Sequence, residues 1–167
     1  MAPSAHVSSS PAGSPGGCIL AIDYGQRRIG LALSDALGLT SRPLATLERT
    51  NRRNDLRRLG EIVRQHQVRR IVVGHPLHLD GSASEMAAEA ARFAARIGKQ
   101  LRLPVELVDE RLSSWEAEQI LATPRGASGK GRDTARRRGG GAVDRVAAAV
   151  ILRDYLERER ARKRAKD

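Results

Sequence analysis

The chain has 167 residues, of which 40% are hydrophobic but only 2% aromatic, with 30 Lys and Arg against 19 Asp and Glu. That length suits one domain, whose core must be built mainly from Ala, Val, Leu and Ile. The formal net charge of +11 and a pI of about 11.2 point to a surface that attracts polyanions, although Arg- and Ala-rich composition also carries genomic bias.

One cysteine, Cys18, leaves no internal disulfide and no zinc site built from thiolates, and its place in an apolar run reads as a buried structural thiol. No stretch approaches the ~18 apolar residues of a membrane span. No charged segment leads into an apolar one, so no signal peptide is read and a reducing, cytoplasmic setting is expected. Residues 1–17 are Ser, Pro, Gly and Ala with almost no charge, the composition of a flexible tail. The folded domain is expected over 18–160, followed by a charged tail at 161–167.

Three short apolar runs come first: Cys18 to Asp23, Ile29 to Ser34 and Arg42 to Leu47. Their short links predict an antiparallel meander. The period then changes, with Leu56, Leu59, Ile62 and Val63 predicting a helix from Asn54 to His66. Ile71 to Val73 reads as a strand ending at Gly74 and Pro76. Ser82 to Arg102 is Ala-rich at helical spacing and is stopped by Pro104. Val105 to Val108 is a further strand. Ser113 or Ser114 can cap a helix to Leu121 that holds Trp115, and 122–141 is a loop rich in Gly and Arg. Val143, Val146, Ala147, Val150 and Ile151 mark a last helix to about Arg160. The order β-β-β-α-β-α-β-α-α, without internal repeats, predicts an α/β fold in which a mixed sheet is covered by helices, with parallel crossovers in its second half.

Three carboxylates stand out by position. Asp23 shares a strand face with Ile19 and Ala21, Glu110 ends a later strand, and Asp144 opens the last helix. If they converge, their mutual repulsion calls for a cation, and an all-oxygen set favours Mg²⁺ or Mn²⁺. Two such ions, about 3.5–4 Å apart, suit phosphodiester hydrolysis. Each residue also has a local reading: an Asp-x-Gly turn at Asp23, a pair with Arg111 for Glu110, and a helix-start acid at Asp144. Asp109 and Glu110 are adjacent on a strand, so only one of them can share a face with Asp23. The residues alone leave both readings open.

Taken together, AIDYGQRRIGLALSD, VVGHPLHLDGS, VDERLSSWEA and AVDRVAAAVILRDYL resemble the YqgF family, also called RuvX, whose members are described as Holliday-junction-resolvase-like and as pre-16S rRNA nucleases. The resemblance runs in order from about Ile19 to Leu156. It implies a ribonuclease-H-like fold with a five-stranded mixed sheet and helices on both faces, and a divalent-metal nuclease that matures the 5′ end of 16S rRNA. It carries catalytic and metal-binding roles onto Asp23, Glu110 and Asp144. It also implies nucleic acid as partner, pre-rRNA or branched DNA, with no membrane role and a monomer or homodimer. The loop at 122–141 is richer in basic residues than the family leads one to expect.

Arg27, Arg28 and Arg111 can position phosphate, with surface charge or a salt bridge as the alternative. The run Arg136, Arg137 and Arg138, just before Asp144, suits contact with a nucleic-acid backbone. His75 and His78 lack the partners of a zinc site. Trp115 suits packing or base stacking. GASGKG at 126–131 fails as a P-loop because no Ser or Thr follows Lys130. Two other classes stay in view. One is a nucleic-acid-binding assembly factor without catalysis. The other is a sugar-kinase-like or actin-like ATPase, which needs a duplicated domain that this length does not hold.

Overall fold

The computed structural model describes residues 17–76, 80, 82–109 and 140–166. β1 (Cys18–Tyr24), β2 (Arg28–Ser34) and β3 (Ser41–Glu48) form the meander. Helix α1 (Arg52–Gln65), β4 (Val68–His75), α2 (Glu85–Leu101), β5 (Val105–Asp109) and α3 (Gly140–Arg164) follow. The sheet order is β3-β2-β1-β4-β5. β1 and β2 pair antiparallel, as do β2 and β3, whereas β4 runs parallel to β1 and β5 parallel to β4. The mixed sheet and parallel crossovers expected from the sequence are present. The carboxyl ends of β1, β4 and β5 therefore lie together at one end of the sheet.

The central strands are apolar on both faces because both faces are covered. On one side Leu20, Ile22, Leu31, Leu33, Ile71 and Val73 pack with Leu56 and Leu59 of α1 and Phe93 and Ile97 of α2. On the other, Ile19, Ala21, Ala32, Val72 and Val108 receive Ala148, Ile151, Leu152, Tyr155 and Leu156 of α3. The small side chains on that second face let α3 lie close. Cys18 is half-buried at the edge of the first cluster rather than fully enclosed, because it is the first residue of its strand.

Helix boundaries follow the caps more closely than the hydrophobic period. Asn51 accepts a hydrogen bond from the Asn54 N–H at 2.9 Å, so α1 begins at Arg52, two residues before the periodic reading. Ser84 accepts from Ala87 N–H at 3.0 Å and starts α2 at Glu85, not at Ser82. Ser82 is instead held in a turn by Asp80, through its N–H at 2.8 Å and its hydroxyl at 2.6 Å. α3 starts at Gly140, inside the segment read as loop, and runs to Arg164, beyond the Arg160 expected. Trp115, its helix and most of the Gly/Arg-rich loop lie outside the described residues.

Polar contacts fix α3 at several levels. Thr46 and Ser41 of β3 donate hydroxyl hydrogen bonds to the carbonyls of Gly141 and Ala149, the latter at 2.8 Å, and Arg160 donates to the Leu39 carbonyl. Deeper in, the Tyr155 hydroxyl accepts from Arg70 at 2.8 Å and donates to Glu106 Oε2 at 3.2 Å. Burial raises the Tyr155 phenol above its usual range, with the Arg70 hydrogen bond opposing it, so the hydroxyl keeps its proton.

The closest approach is at Gly30. A Cβ there would collide with the main-chain carbonyl of Asp144. Only glycine lets the first turns of α3 rest directly on β2. Gly30→Ala is expected to push α3 away from the sheet and to cost about 1–3 kcal/mol. Urea melts should show a lower midpoint with little change in slope. An unchanged midpoint would mean that α3 does not need this contact.

Candidate active site

Asp23 is the penultimate residue of β1 and pairs directly with Gly30 of β2. Residues opposite one another on antiparallel strands project to the same face, with Cα atoms about 4.5–5.5 Å apart. Gly30 faces α3 at Asp144, so Asp23 faces it too, in line with Ile19 and Ala21. The strand pair and the glycine together set the main chain of Asp144 against the strand partner of Asp23.

Asp144 is the fifth residue of α3, not its first, and α3 has no acid in its first turn. Stabilisation of the helix dipole therefore does not account for it. Its carboxylate Oδ2 accepts a hydrogen bond from Arg28 Nε at 2.7 Å, in an ion pair whose side chains are 26% and 39% exposed. Arg28 opens β2, two residues before Gly30, so the same strand both admits the α3 backbone and orients the acid that α3 carries. At that exposure the pair adds little to stability; its effect is to fix the direction of the carboxylate.

The turn joining β1 to β2 is held from behind. Gly25 N–H donates to the Arg28 carbonyl at 3.0 Å, and Arg49 N–H donates to the Arg27 carbonyl at 2.9 Å. The Arg49 guanidinium donates to the Gly25 carbonyl at 3.0 Å and lies over the Tyr24 ring at 4.7 Å. Asp55, 4% exposed in the first turn of α1, accepts from Thr50 N–H at 3.1 Å and stands 3.5 Å from Arg49 Nε. A chain of contacts thus runs from α1 through Arg49 to the turn that follows Asp23. The sequence reading passed over Asp55 and Arg49. An acid at helical spacing just after an N-cap Asn was the available signal, but it looks the same as any helix-start acid.

Glu110, Arg111, Arg136, Arg137, Arg138 and His78 lie outside the described residues. Arg27 is exposed at the turn. His75 ends β4 opposite Asp109 of β5, and no group of three or more His, Cys, Asp or Glu able to hold a metal occurs among the described residues. What is present suits a hard cation in kind: two carboxylates, all-oxygen donors, at the carboxyl end of a central strand where ligands of open α/β sheets bind. A site complete enough to hold an ion needs at least one more ligand.

The order 3-2-1-4-5, with its antiparallel second strand, helices on both faces and an acid at the end of β1, defines a protein of the ribonuclease-H-like class. The profile of the RuvX family, described as Holliday junction resolvase, matches residues 17–158. The chain belongs to this family. It is 44% identical over 142 residues to a protein of Koribacter versatilis (strain Ellin345) named "Putative pre-16S rRNA nuclease", a match covering 85% of this chain and 88% of that one. A protein of Syntrophus aciditrophicus (strain SB) with the same name is 44% identical over 139 residues, covering 83% and 87%. Among solved structures, T. thermophilus RuvC in complex with Holliday junction substrate superposes with a TM-score of 0.49 at 12% identity, covering 86% of this chain and 95% of that one.

Asp55→Ala removes the acceptor for Thr50 N–H and the partner of Arg49. It is expected to cost about 1–3 kcal/mol in a urea melt and to speed amide exchange at Gly25, which the Arg49-braced turn protects. Exchange at Gly25 unchanged from wild type would show that α1 does not brace this turn.

Proposed function

We propose that this chain is a divalent-metal-dependent nuclease that hydrolyses phosphodiester bonds in RNA, with precursor 16S rRNA as substrate and the cytoplasm as its place of work. The observation that carries the reading is the approach of the Asp144 main chain to Gly30, the strand partner of Asp23, in a chain of net charge +11. Membership of RuvX and the printed names of the relatives supply the substrate class.

In this reading Asp23 and Asp144 hold Mg²⁺ or Mn²⁺ together with Glu110. Glu110 lies outside the described residues and enters this reading from the family resemblance. When bound, a pair of such ions supplies an activated water and offsets the charge that develops at phosphorus. The protein does the rest by position. β1 and β2 fix Asp23 on a strand rather than on a loop. Arg28 holds Oδ2 of Asp144 and so fixes the direction of its carboxylate. Arg27, exposed on the turn, and the arginines at 111 and 136–138 supply cationic contacts that orient the backbone without reading its sequence.

Cleavage of a 16S precursor RNA extended at its 5′ end, and of a four-way DNA junction, should be measured with Mg²⁺ and with Mn²⁺. RNA cleavage is expected. EDTA should abolish it, and added metal should restore it. Asp23→Asn and Asp144→Asn should each lower kcat by about 10²–10³-fold, with RNA binding in EDTA retained. Equal rates for wild type and both variants would sink the nuclease reading. Cleavage of the junction alone would move the substrate from RNA to branched DNA.

A further inference from the structure

A basic cavity lies on the opposite face of the sheet from Asp23. A cavity of about 390 Å³ opens there, lined by four arginines, Arg49, Arg52, Arg92 and Arg96, against a single acid, Glu89. Tyr24 and Phe93 form its floor, with ring centroids 4.7 Å apart. Three separate segments supply the arginines: the link after β3, the first residue of α1, and two successive turns of α2. Arg92 and Arg96 are four residues apart and so share a helix face. Among the described residues, Arg52, Arg92 and Arg96 have no ion-pair partner. Glu89 precedes Arg92 by one turn yet forms no salt bridge with it. Like charges converge here with little to offset them, an arrangement that is unfavourable until an anion arrives.

We propose that this cavity is a phosphate-binding subsite for the sugar-phosphate backbone of a single RNA strand that crosses the end of the sheet. The proposal rests on the nuclease reading for the identity of the strand. Tyr24 follows Asp23 directly, and the two side chains point to opposite faces, so the cavity and the carboxylates are separated only by the end of β1 and the turn at 25–27. A strand lying over that turn, past exposed Arg27, reaches both. The cavity is wide enough for a nucleotide unit, but its lining favours phosphate over base. Tyr24 already carries the Arg49 guanidinium on its ring and packs against Phe93, which leaves no open platform for stacking. Arg49 is committed to the turn, so it adds charge from the wall. Arg52, Arg92 and Arg96 are the groups able to close on the phosphate oxygens with paired N–H donors.

The test reads binding, not cleavage. Fluorescence anisotropy of labelled oligo-U and oligo-A RNA, in EDTA and between about 50 and 200 mM salt, gives the slope of log K against log salt. In the Arg92→Ala/Arg96→Ala double variant the magnitude of that slope should fall by about 0.7, the value of one phosphate on a single strand, to the same extent for both RNAs. Arg42→Gln/Arg64→Gln, which removes the same charge from exposed positions at the far ends of β3 and α1, should keep the wild-type slope. Thermal melts confirm that each variant is folded. An unchanged slope in the cavity variant, an equal loss in the control pair, a loss confined to one base, or no RNA binding by wild type would each overturn the subsite. Wild-type slope in the cavity variant alongside intact cleavage would reject the subsite and leave the nuclease standing. A lost phosphate contact in a chain whose Asp23→Asn variant cleaves like wild type would do the reverse.

Discussion

The close approach of α3 to β2 at Gly30 is the constraint from which the site follows. Glycine is otherwise a poor strand residue, because it orders the most backbone for the least packing. Here its missing Cβ sets the distance between a strand that carries Asp23 next door and a helix that carries Asp144 above it. The rest of the α3 interface agrees with that spacing. Ala21 and Ala32 thin the sheet surface below the helix, and Ser41, Thr46 and Tyr155 pin the helix along its length. A bulkier face would keep the hydrophobic contact and lose the approach of Asp144 to Gly30.

Electrostatics at this end of the sheet is arranged in two layers. The carboxylates stand on the α3 side, with Arg28 holding Asp144. The arginines around Tyr24 stand on the α1 and α2 side, and Arg49 is neutralised in part by buried Asp55. Separating the two signs by the thickness of one strand keeps them from collapsing into salt bridges with each other.

Much of this was legible in the residues. The strands follow from short apolar runs and the helices from a 3.6-residue period, and the crossover pattern gives the sheet its mixed character. Asp23 could be placed on the face of Ile19 and Ala21 from alternation alone. The exact helix starts were not legible, because Asn51 and Ser84 compete with nearby polar residues as caps and only geometry chooses between them. Asp144 was read as opening α3, since a run of glycines before it looks like a loop; in the fold those glycines are already in or next to the helix. Gly30 inside a strand was a visible anomaly whose meaning required the partner helix. Arg49, Asp55 and the arginine cavity are contacts between segments distant in sequence, and no local pattern announces them.

The order in which the parts are made has a consequence of its own. The five described strands precede α3 in the chain, so a ribosome releases them before the helix that covers Ile19, Ala21, Ala32 and Val72. Synthesis adds about 5–20 residues per second, and a domain generally folds as a unit. During that interval one apolar face is bare and Asp144 is absent. Until α3 emerges, that sheet face lacks its helix and Asp144 cannot meet Gly30, so the closing of the hydrophobic face and the placing of this acid arrive in one step.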